Sequence, residues 1–200
     1  MPSERFHQLK PVKKKNFLRY AYQEFALHAY EGASISKLVS TLKMAKGSIY
    51  QYFEDKEDLY YYLLSHTREQ LQTLLEQACP LPAKNSSFKN WYRNFLVVQL
   101  KYYMSLPSQG LLLLRYQADT LGIISLKADN PQSTYLMRAA NRTEESLSKQ
   151  KIHQLDRLPL LVFDFLLNQH PTEVDSWVKG ELALTISPQE LIDLCDHFLE

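Results

Sequence analysis

Glycine is scarce in this 200-residue chain: five residues, or 2.5%, against a usual share of about 7%. That count disfavours folds built on tight turns and glycine-rich phosphate loops, and it favours helix. Cysteine is scarcer still. Cys79 and Cys195 lie 116 positions apart, which makes neither a metal-ligand spacing nor a disulfide framework. A reducing, cytoplasmic location is the expectation. Long apolar runs are absent too. The stretches 110–114 and 158–167 are short or broken by charge, whereas a membrane span requires roughly 18–20 residues. The opening Met-Pro-Ser-Glu-Arg has no apolar segment behind it, so no secretory signal is expected. The glycosylation-like triplets at Asn85 and Asn141 then read as chance matches.

The familiar patterns of catalysis are also missing. There is no His-Glu-x-x-His, no paired cysteine spacing and no Gly-x-Ser-x-Gly elbow. Lys46-Gly47-Ser48 reverses the order of a phosphate loop and lacks its upstream glycine. Six histidines show no ligand pair at helical spacing. No metal, no cofactor and no enzymatic activity is expected.

What is present is enough apolar residue, 45%, with 22% charged, for a globular fold. A chain of this length buries about 70% of its unfolded surface without a staple. The net charge is only +1, but it is unevenly spread. Residues 1–53 carry nine Lys or Arg against three acids, a net of +6; the remaining 147 carry 14 against 19, a net of −5. A positive head on a negative body points to a polyanionic partner. Taken alone, Lys13, Lys14 and Lys15 are equally well read as a solvated arm.

Helical periodicity runs through the chain. Residues 1–11 read as a mobile basic arm. Phe17, Leu18, Ala21, Tyr22, Phe25 and Ala29 recur at threes and fours over 12–30. Ser34 is placed to cap a second, short helix whose buried side is Ile35, Leu38, Val39 and Leu42. A third must be short, over 46–53, with Ile49 and Phe53 inward. Asp55 caps a long fourth over 56–78, with the stripe Leu59, Tyr62, Leu63, Leu71, Leu74 and Leu75. The segment 79–87, with Pro80 and Pro82, is the clearest break. Beyond it the pattern predicts helices over 88–106, 109–121, 131–152 and 158–168. A last helix to Leu199 opens on the capping box Ser187-Pro188-Gln189-Glu190. No stretch alternates as a strand. The expected fold is all-α, organised as 1–55, a connecting helix 56–78, and a larger helical domain 79–200.

Two short helices about a tight turn over 34–53 have the length and pattern of a helix-turn-helix, whose second helix enters the major groove. With Ile49 and Phe53 inward, Lys46, Gly47, Ser48, Tyr50, Gln51 and Tyr52 remain for the outer side and the ends. Gln51 can pair in bidentate fashion with an adenine edge. Lys56 adds charge beside a helix N-terminus that already favours phosphate.

The stretch Lys46-Gly47-Ser48-Ile49-Tyr50-Gln51-Tyr52-Phe53-Glu54-Asp55-Lys56-Glu57-Asp58-Leu59 resembles the signature Lys-Gly-Thr-Leu-Tyr-x-x-Phe-x-x-Lys-Glu-x-Leu of the tetracycline-repressor-like (TetR/AcrR) family of transcriptional regulators. Ala21, Phe25, Tyr30, Ser34, Ile35 and Leu38 match the family's first two helices, so the resemblance covers about 17–63. There are departures. Ala29 sits where the family usually ends a helix with glycine, Val39 and Leu42 replace two alanines, Lys43 replaces the turn glycine, and Ala45 replaces a capping Ser or Thr. The missing cap should cost about 1 kcal/mol, and a lysine at positive φ roughly another 1 kcal/mol.

The resemblance implies that Ser34, Lys46, Gly47, Ser48, Tyr50, Gln51, Tyr52 and Lys56 face double-stranded DNA. It implies a homodimer formed through the last two long helices, for which Leu158, Leu161, Phe165, Leu191, Leu194 and Phe198 are the candidates. It also implies a small-molecule effector, apolar or aromatic, within the second domain. There Trp91, Phe95, Tyr102, Tyr103, Tyr116, Tyr135 and Phe163 supply aromatic surface, and Asp164 is a carboxylate in an apolar run that needs water, a partner or a cation. The function these features suggest is a ligand-responsive repressor of transcription on a palindromic operator. The rival is a helical protein-interaction module whose helix-turn-helix binds no DNA.

Overall fold

The computed structural model describes residues 2–120, 131–143, 147–183 and 186–199; for Lys46, 118–120, Pro131, Pro188, Phe198 and Leu199 it describes the backbone alone. Every regular element among them is helical. In chain order these are α1 (Glu4–His7), α2 (Pro11–Gly32), α3 (Ile35–Thr41), a six-residue 3₁₀ turn (Lys46–Gln51), α4 (Lys56–Ala78), α5 (Phe88–Ser105), α6 (Pro107–Thr120), α7 (Pro131–Arg142), α8 (Lys149–Gln169), α9 (Val174–Lys179) and α10 (Pro188–Leu199).

The caps read from sequence are formed. Ser34 Oγ accepts the Lys37 amide at 3.2 Å and Asp55 Oδ1 the Asp58 amide at 2.7 Å. In the last helix Ser187 Oγ accepts from the Glu190 amide at 3.1 Å. The Glu190 carboxylate accepts from the Ser187 amide at 2.8 Å in return, the reciprocal pair of a capping box. That pair holds the Glu190 carboxyl below its ordinary pKa.

Three expectations are corrected. Residues 1–11 are not simply an arm: Ser3 opens α1, and Phe6 is fully buried. The single helix over 131–152 is two, because α7 ends at Arg142 and Ser148 caps a new helix through the Lys151 amide at 3.1 Å. That new helix continues through Pro159 to Gln169, so the stretch 158–168 is its second half. The short helix α9 was not foreseen; its six residues are too few to show a period.

The head (α1–α3, the 3₁₀ turn and the start of α4) sits on a body made of α5–α10 and the rest of α4. α2 packs along α6 and against α9. Two polar ties reinforce this seam: Gln23 Nε2 donates to the Lys179 carbonyl at 3.1 Å, and Arg115 donates to the Leu27 carbonyl at 3.3 Å. Within the body, α6 lies close against α8 and α5 because Gly110 has no side chain. A Cβ there would stand 2.8 Å from the Phe163 ring and 3.0 Å from Tyr103 Cβ. Burial pushes both thiols, Cys79 and Cys195, up to about 11, so both are inert core groups. No helix among the described residues is long and apolar enough to cross a membrane. No group of three or more His, Cys, Asp or Glu among them could hold a metal ion.

Candidate nucleic-acid interface

α3 ends in a reversal that positions the 3₁₀ turn. The Met44 amide reaches back to the Val39 carbonyl at 2.9 Å and the Lys43 amide to that of Ser40 at 3.0 Å. This is the Schellman pattern, and Lys43 occupies its left-handed position with φ 52°. The lysine therefore adopts the conformation that glycine favours, as the departure at this position implied. Ala45 stands at the N-cap position just before the 3₁₀ turn and supplies no side-chain cap.

The turn has two unlike sides. Ile49 and Phe53 are each 2% exposed and are anchored in the core. Tyr50 is 54% exposed, Gly47 and Gln51 are exposed, and Ser48 is half-buried. Gly47 has nothing within 4 Å of where a Cβ would stand, and its φ is not positive. Nothing inside the chain requires glycine there. The Lys46 side chain lies outside the described residues.

Two expected contact residues are otherwise engaged. The ammonium of Lys56 donates to the Tyr30 carbonyl at 2.8 Å, lies 3.4 Å from the carbonyls of Glu31 and Ala33, and sits 4.5 Å from the centre of the Tyr30 ring. It closes the C-terminal end of α2, where the orphan carbonyls of a helix attract cations. Tyr52 is half-buried, with its ring 5.9 Å from that of Phe6 and 6.2 Å from that of Phe17. Ser34 Oγ accepts the Lys37 amide and keeps its hydroxyl proton to donate outward, while its own amide donates to Glu24 at 2.9 Å.

Positive charge gathers beside the turn. α2 opens on Pro11 with Lys13, Lys14 and Lys15 in its first turns and no acid there. Three cations at the positive end of a helix dipole repel it, an arrangement relieved by an anion outside the chain.

In the body, the residues expected to line an effector site are mostly packed. Trp91, Phe95 and Tyr135 stack with centroids 5.1–6.3 Å apart. Phe163 is fully buried against Tyr103. Tyr102 is hydrogen-bonded to Gln109, and Tyr116 lies under the Arg68 guanidinium at 5.0 Å. A cavity of about 30 Å³ lies among α4–α8, room for about one water. Its lining includes Arg68, Gln99, Gln132 and Asp156, and of the expected rings it includes Tyr103. A wider cleft of about 370 Å³ separates the head from α9, between Arg19, Gln23, Lys37, Lys179 and Glu181. Asp164 is half-buried on α8, between the fully buried Phe163 and the exposed Phe165.

Leu161 and Phe165 are 50% and 43% exposed, one helical turn apart. Leu158 and Leu194 are half-buried. Leu191 is 1% exposed and belongs to the core, where α10 packs on α5, so it is removed from the expected dimer face. The side chain of Phe198 lies outside the described residues.

A helix-turn-helix with a basic flank and a bare outer side, set on a helical body, is the architecture of a DNA-binding regulator. Residues 17–63 match the model of the family described as bacterial regulatory proteins, tetR family. Over 49 residues, 24% of the chain, the sequence is 37% identical to the HTH-type transcriptional repressor AcnR of Corynebacterium diphtheriae. The matched segment spans 26% of that repressor's own length. A tetR-family transcriptional regulator from Chloroflexus aurantiacus has the same fold over 100% of this chain and 95% of its own, with a TM-score of 0.73 and 20% identity. The fatty acid degradation regulator FadR of Bacillus halodurans shares it over 94% and 96%, with a TM-score of 0.57 and 16% identity. Residues 17–63 of this chain thus resemble the tetR-family domain, and the whole chain shares the fold of solved tetR-family regulators. These are DNA-binding regulators and not enzymes.

Proposed function

We propose that this chain represses transcription by binding a two-fold palindromic operator as a homodimer, and that a small molecule releases it. The observation that carries the DNA reading is Gly47. It stands on the exposed side of the turn with open space around it and an ordinary backbone conformation. A glycine with no internal reason is accounted for by close approach of an external backbone, and DNA sugar-phosphate is what the flanking lysines attract. Tyr50, Gln51 and Ser48 then reach the groove beside it, Lys46 adds its charge, and Ser34 meets a phosphate from the start of α3. Lys56 acts from behind by fixing the α2 end, and Tyr52 holds the turn to the core.

The exposed apolar pair Leu161 and Phe165 supports pairing through α8, with the half-buried Leu158 one turn before them; Leu194 and Phe198 on α10 stay candidates by the resemblance alone. A dimer would set two reading turns about 34–36 Å apart on one face of the duplex.

The test is selection from a random duplex pool, with Gly47→Ala and Tyr50→Ala as controls. The wild type is expected to enrich a palindrome. Both variants should keep their melting temperature, since neither side chain packs, while losing roughly ten- to a hundredfold in operator affinity. Affinity should fall steeply with salt as counterions are released. No enrichment at low salt, or a Gly47→Ala protein that binds as well as wild type, overturns the reading.

A further inference from the structure

The 3₁₀ turn that carries the candidate reading residues is intrinsically weak. It is six residues long, its hydrogen-bond geometry is the poorer kind, and the residue before it, Ala45, supplies no side-chain cap. What restrains it comes from the opposite end of the head's sequence. The Ser3 amide donates to the Tyr52 carbonyl at 2.8 Å, and Ser3 Oγ donates to the Gln51 carbonyl at 2.6 Å. One residue thus satisfies two carbonyls at the C-terminal end of the turn, which the turn itself leaves without partners.

Three positions on, Phe6 is fully buried at the centre of a ring cluster. Its ring lies 4.9 Å from Phe53, 5.4 Å from Phe17, 5.4 Å from Tyr62 and 5.9 Å from Tyr52. The Lys14 ammonium sits 5.1 Å from its centre. Phe6 therefore joins the turn, α2 and α4 in one contact.

We propose that residues 3–9 are a working part of the reading head. They clamp the C-terminal end of the turn and set the angle at which Tyr50 and Gln51 are presented, though Ser3 and Phe6 are themselves positioning residues that read no base. This rests on the DNA reading above. A loosened turn still carries its lysines, so non-specific attraction survives; discrimination, which needs fixed geometry, does not.

The test uses the full chain with Ser3→Ala, Ser3→Pro and Phe6→Leu. The φ of Ser3 is −67°, which proline accepts, so Ser3→Pro removes both hydrogen bonds without forcing the backbone. Binding to the operator enriched by the wild type and to a random duplex is measured with hydrogen exchange over 46–53. For Ser3→Pro, operator affinity should fall roughly tenfold, random-duplex affinity and the salt slope should hold, and the amides of the turn should exchange at least tenfold faster. Ser3→Ala should give a smaller loss of the same kind. Phe6→Leu keeps an apolar group of similar volume, so the head stays folded while the ring contacts go. Unchanged exchange, or an unchanged ratio of operator to random binding, overturns the clamp and leaves the DNA reading standing. A wild type that enriches no sequence overturns the DNA reading itself, and this proposal with it.

Discussion

Head and body handle the same backbone problem in different ways. In the described part of the body, positive φ falls on Asn85 (62°) and Gly180 (75°), residue types that tolerate it. In the head it falls on Ala29 (53°) and Lys43 (52°), which do not. The caps do not divide this way: Ser34 and Asp55 bond the amide three residues on in the head, as Ser87, Ser148 and Ser187 do in the body, and the 3₁₀ turn after Ala45 and α9 after Glu173 each start without one. In its backbone conformations the body follows local rules. The head holds unfavoured conformations through long-range contacts, among them the Lys56 ammonium on the α2 carbonyls and Ser3 on the turn. Local strain of this kind persists only where the surroundings over-determine it.

The largest test of the contrast is Ala29→Gly. Ala29 has ψ −177° with its φ of 53°, a region populated almost only by glycine. The exchange should stabilise the chain by about 1–3 kcal/mol, a rise of roughly 2–10 °C in melting temperature for a chain this size. Thermal unfolding of the single variant measures it. A lower melting point would mean that the kink at Ala29 within α2 is unstrained, and the contrast would lose its strongest member.

Lys43→Gly is the smaller companion. The left-handed position of the Schellman turn should gain about 1 kcal/mol when lysine gives way to glycine. Gly180→Ala in the body should lose about as much, and the two melting curves measured together show whether head and body differ in sign. If Lys43→Gly proves neutral, its side chain contributes an interaction that offsets the backbone cost.

Much of this architecture was legible because it is local. Caps at Ser34, Asp55 and Ser187 are short-range chemistry, and the inward pair Ile49 and Phe53 follows from spacing. The positive φ of Lys43 followed from a departure in a matched motif. What was not legible depends on residues far apart in sequence. Phe6 is buried only because Phe17, Phe53 and Tyr62 surround it, and nothing in residues 1–11 shows that. Lys56 follows a helix cap, which suggested an outward charge; its partners, the carbonyls of Tyr30, Glu31 and Ala33, lie 23 to 26 positions earlier. In the body, periodicity identified the aromatic rings as inward, but it does not distinguish rings that pack together from rings that line a site.

One residue couples the two regions and gives the smallest effect. His66, on α4, meets Tyr22 of α2 with Nδ1 at 2.9 Å from the phenol oxygen, and Thr67 Oγ1 lies 3.1 Å from that same oxygen. Burial is the main cause that lowers the His66 pKa below 6.5; Lys14 lowers it further, and Glu69 opposes. The folded chain therefore prefers the neutral ring. The stability this contributes is fully present above about pH 6.5, the unfolded value, and is lost as pH falls through the lowered folded value, where the unfolded chain binds the proton first. His66→Gln keeps a polar side chain of similar reach and removes the titration. Its melting temperature should drop less than that of wild type between pH 7.5 and pH 5. The difference should vanish in Tyr22→Phe, His66→Gln compared with Tyr22→Phe alone if the phenol is what holds the ring in its buried site. Equal pH slopes in wild type and His66→Gln would show that the seam between α2 and α4 carries no proton-linked stability, and that head and body differ in backbone strain but not in their response to acid.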